Sequence, residues 1–250
     1  EVHHAFDPAQ GLTGLEAWCD FASWELGPGQ STDTETLLLA SGDDPYAQLE
    51  RWADDVAVRC QPRRWEDAPI GWLGWAWVDP MTVERYEDVV IRNIQAIQRR
   101  LGGFGLRYAW VSIGNLADGV PGRWTDWNYQ LFPHGPEYLV RRLAEYGLKL
   151  GLWCAPFWVC SWAMEQLGDL EEALLRNPDG SPLVVRGEWQ FGRAGEVPKR
   201  ERPVLYALDP SHPKTLAFLR RTFETYRRWG VRYYMLDFLH AGAGNICSFP

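Results

Sequence analysis

The sequence has no apolar run of the ~18 residues that a membrane-spanning helix requires, so no membrane partner is expected. Its first residues, Glu1-Val2-His3-His4, lack the positive flank and apolar core of a secretory signal. No basic stretch occurs, and 25 Lys+Arg against 33 Asp+Glu leave a net charge of −8, which excludes a surface for nucleic-acid phosphates. Cysteine is scarce. The five residues Cys19, Cys60, Cys154, Cys160 and Cys247 are odd in number and share no short spacing, so neither a disulfide framework nor a zinc site is expected. Cys154 and Cys160 lie among Trp and Phe and read as buried thiols. This usage favours a reducing, cytoplasmic compartment. No Gly-x-Gly-x-x-Gly follows a predicted strand. The run Leu101-Gly102-Gly103-Phe104-Gly105 precedes one, and reads as a helix stop rather than a phosphate cradle.

Tryptophan, by contrast, is abundant: 15 of 250 residues, beside 24 Gly and 17 Pro. So many large rings must either fill a core or line a concave surface, and aromatic faces pack well on the C–H faces of sugar rings. Composition alone leaves both fates open.

Along the chain, residues 1–44 read as short strands and turns, with strands at Asp20–Leu26 and Glu35–Ala40, and resemble the end of a β domain. A helix over Pro45–Val58 follows, with Pro at an early position and acids at its start, and leads through a linker to residue 70. From Gly71 strands and helices alternate. Strands are expected at Gly71–Asp79, Leu106–Ile113, Leu148–Ala155, Val204–Leu208 and Val231–Phe238. Helices are expected at Val83–Leu101, Pro136–Tyr146, Ala163–Arg176 and Pro213–Trp229, the last stopped by Gly230. Pro178–Arg202 reads as irregular, and its charge-rich part from Arg186 as a solvated loop. Strands apolar on both faces and separated by helices imply a parallel sheet covered on both sides. Polar and unusual residues gather after strand ends, which favours a barrel over an open sheet. About four βα units are present, half of what a closed eight-stranded barrel needs.

Arg232-Tyr233-Tyr234-Met235-Leu236-Asp237-Phe238 places an acid at the end of a hydrophobic strand. Burial there implies a catalytic task, a helix cap or a cationic partner. Asp209, in Leu208-Asp209-Pro210-Ser211, reads as a turn and helix cap. Asp126 reads as a solvated loop acid. His134 and His240 lack ligand spacing, so no metal is expected, although His240 follows Asp237 closely enough to reach the same mouth.

Six motifs occur in order: Gly71-Trp72-Leu73-Gly74-Trp75; Trp110-Val111-Ser112-Ile113-Gly114-Asn115; Gly122-Arg123-Trp124 through Asn128 to Phe132-Pro133-His134-Gly135; Gly147–Trp153 with Pro156; Leu208-Asp209-Pro210 with Pro213; and Tyr234–Phe238. Together they resemble the catalytic barrel of α-galactosidases of glycoside hydrolase family 36, in the clan shared with family 27. The resemblance covers about residues 45–240. It implies an α/β chain of (β/α)8 type, with the first half of the barrel over 71–250 and the end of a β-sandwich over 1–44.

The resemblance further implies a retaining glycosidase in which Asp237 is the nucleophile. Trp75, Asn115, Trp124, Trp153 and His240 would line the sugar subsite. The second carboxylic acid would follow a later strand, and residues 238–250 contain no Asp or Glu, so this chain alone is expected to be inactive. No cofactor is implied, and the expected partner is a glycoside or oligosaccharide. Homo-oligomerisation of the full-length protein is left open. Where the family has paired acids after the second strand, this sequence has Gly114-Asn115; where it has Lys two residues before the nucleophile, it has Met235. A transglycosylase and a carbohydrate-binding scaffold without catalysis remain as alternatives, as does an unrelated Trp-rich α/β protein.

Overall fold

A computed structural model describes residues 2–19, 25–63, 68–74 and 85–244 of the protein. The chain divides into two compact units, Glu1–Glu66 and Asp67–Pro250. In the first, strands β1 (Val2–Asp7) and β2 (Gly11–Ala17) form an antiparallel hairpin. Asp7 makes its turn by accepting from the amides of Ala9 and Gln10 at 2.8 and 2.9 Å. Helix α1 (Pro45–Cys60) starts where Asp44 accepts from the amides of Tyr46 and Ala47. The acid expected inside its first turn thus serves as the cap just before it. The expected strand Glu35–Ala40 forms no ladder: Leu37, Leu38 and Leu39 are exposed, and an extended segment without a hydrogen-bonded neighbour is not stable as a strand. Of the expected strand Asp20–Leu26, residues 20–24 lie outside the described residues, and Glu25-Leu26 carries no ladder.

The second unit is mixed α/β. In chain order it comprises β3 (Gly71–Leu73), α2 (Tyr86–Leu101), β4 (Tyr108–Val111), α3 (Gly135–Ala144) and β5 (Lys149–Cys154). After these come the short strands β6 (Trp158–Cys160), β7 (Val184–Arg186) and β8 (Leu205–Ala207), then α4 (Pro213–Trp229) and β9 (Tyr233–Leu236). The order β3-β4-β5-β9 forms a four-stranded parallel sheet. Leu150 and Leu152 of β5 and Ala109 and Val111 of β4 are fully buried, as strands covered on both faces require. The helices each bury one stripe: Tyr86, Val90 and Ile94 on α2, Leu139 and Leu143 on α3, Phe218, Thr222 and Tyr226 on α4. Helix α4 ends at Gly230, whose φ of 97° closes the cap with a 3.1 Å bond from its amide to the Arg227 carbonyl.

Two expectations change. Ala163–Arg176 is not an α-helix but two 3-10 turns, Ser161–Ala163 and Gly168–Ala173. Gly168 weakens a helix there, and the backbone beyond is taken by sheet-like bonds: Leu174 bridges Leu208, and Leu175 donates to the Ala207 carbonyl at 2.8 Å. The strand expected at Val204–Leu208 exists as β8, but it lies between β6 and β7 in a separate three-stranded antiparallel sheet. The strand expected over Gly71–Asp79 is β3 through Leu73, and residues 75–80 lie outside the described ones. No described helix is long and apolar enough to cross a membrane.

Cys154 and Cys160 are fully buried, whereas Cys60 is exposed. Burial pushes the Cys160 thiol up to about 11 and the Cys154 thiol higher. The thiolate is the nucleophile, so a two-unit rise lowers reactivity by about 100-fold. At pH 8, iodoacetamide should label Cys60 while Cys160 stays protected by about that factor, and Cys154 by more, until denaturant is added. Site-resolved mass spectrometry checks this, and labelling of Cys154 in the native protein at the Cys60 rate would contradict the packing described.

Candidate functional site

The carboxyl ends of β4, β5 and β9 open onto a cavity of ≈ 290 Å³. This is the small end of the range for ligand pockets. Ser112 and Ile113 reach it from beyond β4, Trp153 from β5, and Met235, Asp237 and Phe238 from β9 and its continuation. Parallel pairing sets Trp153 opposite Met235, and the Asp237 amide donates to the Cys154 carbonyl at 2.9 Å. Asp237 therefore emerges one step past the paired segment, beside Trp153. Its Oδ2 accepts from Trp153 Nε1 at 3.0 Å, and its Oδ1 from the Phe238 amide at 2.9 Å. Both carboxylate oxygens are thus oriented by donors from the scaffold.

The backbone is strained where these strands end. Ile113, a β-branched residue, has φ 36°, and Phe238 has φ 52°. Next to Ile113, the Gly114 amide folds back onto the Ser112 carbonyl. Each such residue costs about 1–3 kcal/mol and persists only where its surroundings enforce it. For Phe238 the enforcement is visible: its ring stacks on fully buried Trp158 at 3.9 Å and 14°.

The opposite wall comes from the long segment between β5 and α4. Trp189 is buried and donates from Nε1 to the Gly119 carbonyl at 2.8 Å. Its ring meets Trp158 and Phe191 edge-on at 6.1 and 4.9 Å. The Arg186 guanidinium lies 5.8 Å from the Trp189 ring centre, and its Nε donates to the Glu188 carbonyl at 3.0 Å. The turn that receives Trp189 is braced by Arg123, whose guanidinium binds Asp118 and Asp126 at 2.8 Å each. Burial opposes the charge on Arg123, but these two carboxylates outweigh it and raise its pKa.

Of the residues singled out from sequence, Asp237 and Trp153 meet in the cavity. Trp124 is 1% exposed; it packs edge-on against Trp153 at 5.7 Å and does not line the cavity. Its ring stands behind Trp153 rather than among the described lining residues, where the resemblance would place it. Asn115 is also 1% exposed and is not among the lining residues, and its side-chain amide has no hydrogen-bond partner among the described residues. His240 is exposed on the 3-10 turn Leu239–Ala243, with its ring 6.0 Å from Phe238, and does not line the cavity. Trp75 lies outside the described residues.

Asp209 is a turn acid, held by the Ser211 hydroxyl and amide at 2.7 and 2.8 Å, which lower its pKa. Asp126 is ion-paired rather than simply solvated, and His134 Nδ1 contacts buried Glu87 at 2.5 Å. No group of three His, Cys, Asp or Glu that could hold a metal occurs among the described residues.

Sequence reasoning missed Arg186, Trp189 and Phe191 by reading their stretch as a solvated loop. Trp189 is 3% exposed, and the segment is a wall of the cavity. The available signal was two aromatic residues, Trp189 and Phe191, set inside a charged run.

No protein-family model matches the chain. Solved structures do. The α-galactosidase TtGalA from Thermus thermophilus, in complex with p-nitrophenyl α-D-galactopyranoside, is 27% identical with a TM-score of 0.54, over 73% of this chain and 33% of that one. In complex with stachyose, TtGalA matches at 28% identity and a TM-score of 0.54, over 72% of this chain and 34% of that one. The family 36 α-galactosidase AgaA from Geobacillus stearothermophilus is 18% identical with a TM-score of 0.49, over 68% of this chain and 21% of that one. The structural neighbours are thus α-galactosidases, and this chain spans about a third of the length of TtGalA.

The loop behind the aromatic wall allows a direct test. Gly192 has φ 62°, and a Cβ there would lie 2.2 Å from the Asp118 carbonyl oxygen. Gly187, nearby, has open space. Gly192→Ala should therefore destabilise by about 2–3 kcal/mol, combining strain with a backbone clash. Gly187→Ala should stay within about 0.5 kcal/mol of the parent. Thermal melts of both variants decide it; equal melting temperatures would refute the close packing at Gly192.

Proposed function

We propose that this chain forms the nucleophile-bearing half of a retaining α-glycosidase resembling the α-galactosidases. The observation that carries the reading is the Asp237 carboxylate, fixed by Trp153 Nε1 and the Phe238 amide at the mouth of a small aromatic cavity. Its position past the end of a parallel strand suits the first four units of a (β/α)8 barrel, in which such strand ends carry the chemistry. The likeness to TtGalA, whose solved complexes hold a nitrophenyl galactoside and stachyose, supports a terminal α-glycoside as the substrate.

The chemistry follows from these groups. A sugar enters with its apolar face against the aromatic side chains. A carboxylate oxygen of Asp237 attacks the anomeric carbon as the bond to the leaving oxygen breaks, and a second carboxylic acid gives that oxygen its proton. Water then displaces Asp237, losing its proton to the same second group and restoring the carboxylate. The Trp153 indole and the Phe238 amide orient the nucleophile from the start, so it needs no reorganisation. Asp237 is the one carboxylate among the described residues lining the cavity, and in this reading the acid/base residue comes from outside the 250 residues. No metal or organic cofactor is required by two-carboxylate chemistry.

A binding scaffold without catalysis is the competing reading, favoured by apolar Met235 and uncharged Asn115 where the resembled family carries charges. Turnover separates the two. The full-length protein should hydrolyse an activated aryl α-glycoside, with the α-galactoside tested first. Asp237→Asn should lower kcat/KM by roughly 10⁴-fold or more, and azide should restore turnover to Asp237→Ala as a glycosyl azide of inverted configuration. A parent protein that binds sugar in calorimetry but turns over no glycoside would favour the scaffold.

Trp153→Phe keeps an aromatic surface but deletes the donor to Asp237. We expect it to lower kcat about 10–100-fold, the worth of a hydrogen bond to a charged group, with KM little changed. Steady-state kinetics check this, and an unaltered kcat would remove Trp153 from the positioning of the nucleophile.

A further inference from the structure

We propose that Trp158 is a positioning residue for the nucleophile: from outside the cavity it clamps the Phe238 ring, and so keeps the Phe238 amide aimed at Asp237. This rests on the glycosidase reading above, and extends the support of the nucleophile to a strand outside the parallel sheet. Asp237 Oδ1 accepts from the Phe238 amide at 2.9 Å, and Phe238 makes that bond from a left-handed backbone with φ 52°. A bulky residue without restraint would leave this region for negative φ. Rotation about φ turns the amide N–H relative to the Cα and its side chain. With the ring held, the N–H keeps its direction; with the ring released, φ relaxes and the N–H swings off Oδ1. The restraint is a stack in which the Phe238 and Trp158 rings lie 3.9 Å apart and 14° from parallel.

Trp158 is itself well anchored. It is fully buried and is not among the described lining residues, so its part is played behind the cavity wall. Its Nε1 has no hydrogen-bond partner among the described residues, so the indole acts through its ring and not through a polar bond. Its backbone is fixed by a ladder: Trp158 of β6 stands opposite Ala207 of β8, and its amide donates to the Ala155 carbonyl at 2.9 Å. The residue before it grips the same strand end. The Phe157 carbonyl accepts from the Leu208 amide at 2.9 Å, and its ring lies so close to Gly242 that a Cβ there would come within 2.9 Å of it. Two adjacent rings thus hold the turn that follows Asp237, one at Phe238 and one at Gly242. The parallel sheet carries the attacking carboxylate, and the antiparallel sheet keeps one of its two donors in place.

The test uses the full-length protein, with kcat and KM measured on the aryl α-glycoside that the parent prefers and melting temperatures alongside. Trp158→Leu should lower kcat about 10–100-fold, the worth of a hydrogen bond to a charged group, with KM little changed. Trp158→Phe restores a flat ring and gives up no hydrogen bond, so it should recover most of that loss. In a Phe238→Gly background there is no ring to clamp and the left-handed backbone is unstrained. Adding Trp158→Leu there should change kcat by no more than about twofold, while its cost to the melting temperature persists. An unchanged kcat in a folded Trp158→Leu protein would overturn the proposal, as would no recovery in Trp158→Phe or the same loss of kcat in both backgrounds. If Trp158→Leu does not fold, Trp158→Met, which fills the space without a flat ring, is read by the same comparisons. A parent that turns over no glycoside would sink the glycosidase reading. The crystal structure of the folded variant would then judge the link itself: a Phe238 amide still on Asp237 Oδ1 counts against Trp158, and a displaced amide supports it.

Discussion

The hydrogen bond from Trp153 to Asp237 joins two neighbouring parallel strands at the edge where their ladder ends, and the rest of the site is arranged around it. It exists only in one register. With Trp153 opposite Met235, the Asp237 carboxylate clears the strand end and comes level with the indole nitrogen; a slip of one residue would turn it to the other face. The register is held by the apolar side chains of β4 and β5, packed on both sides, and by Gly151. A Cβ on Gly151 would approach that of Tyr233 to 3.2 Å, tighter than β5 and β9 comfortably allow. Core packing and functional geometry are therefore the same constraint seen from two sides.

Strain enters at the same edge. Ile113 and Phe238 both take positive φ at the ends of strands, and together they cost a few kcal/mol that a loop elsewhere would not carry. The counterweight is aromatic. Phe238 stacks on Trp158, Trp158 meets Trp189, and Trp189 is hydrogen-bonded to Gly119. Burying side chains of this size is worth several kcal/mol in total, enough to hold a residue in a conformation it would leave if free. The abundance of Trp has a mechanical reason here: large rings span the distance between the parallel sheet and the antiparallel one, and fix both against the strained strand ends.

The parallel sheet and its helices were legible in the sequence because their signals are local and redundant. Pro213 and Gly230 bracket α4, whose observed span Pro213–Trp229 matches the reading residue for residue. Asp237 stood out as an acid closing an apolar strand, a conflict between local pattern and charge that implies a task. In the segment between β5 and α4, β8 was legible as a strand but its antiparallel partners were not. Strands β6 and β7 have three residues each, too few for alternation to register, and they persist only because each pairs with β8, far away in sequence. Ala163–Arg176 had helical spacing, but pairing with Leu208 and Ala207 took its backbone elsewhere. Trp124 and Trp189 illustrate the remaining difficulty. Both are buried, yet one supports and the other lines the cavity, a difference that no local pattern encodes.

That division has a physical rationale. A nucleophile must be held to a fraction of an ångström, which suits a parallel sheet buried on both faces. A recognition surface must fit one ligand among many similar ones, which suits a segment whose turns can change without disturbing the sheet. Here the second segment consists of 3-10 turns and short strands, yet it is tied down at specific points: Trp189 to Gly119, Gly192 against Asp118, and Arg123 between Asp118 and Asp126. These ties lie outside the parallel sheet, so substitutions among Arg186, Trp189 and Phe191 can reshape the cavity while the Trp153–Asp237 bond keeps its register. Asp237 and Arg186 thereby come from the ends of different sheets that meet at one cavity.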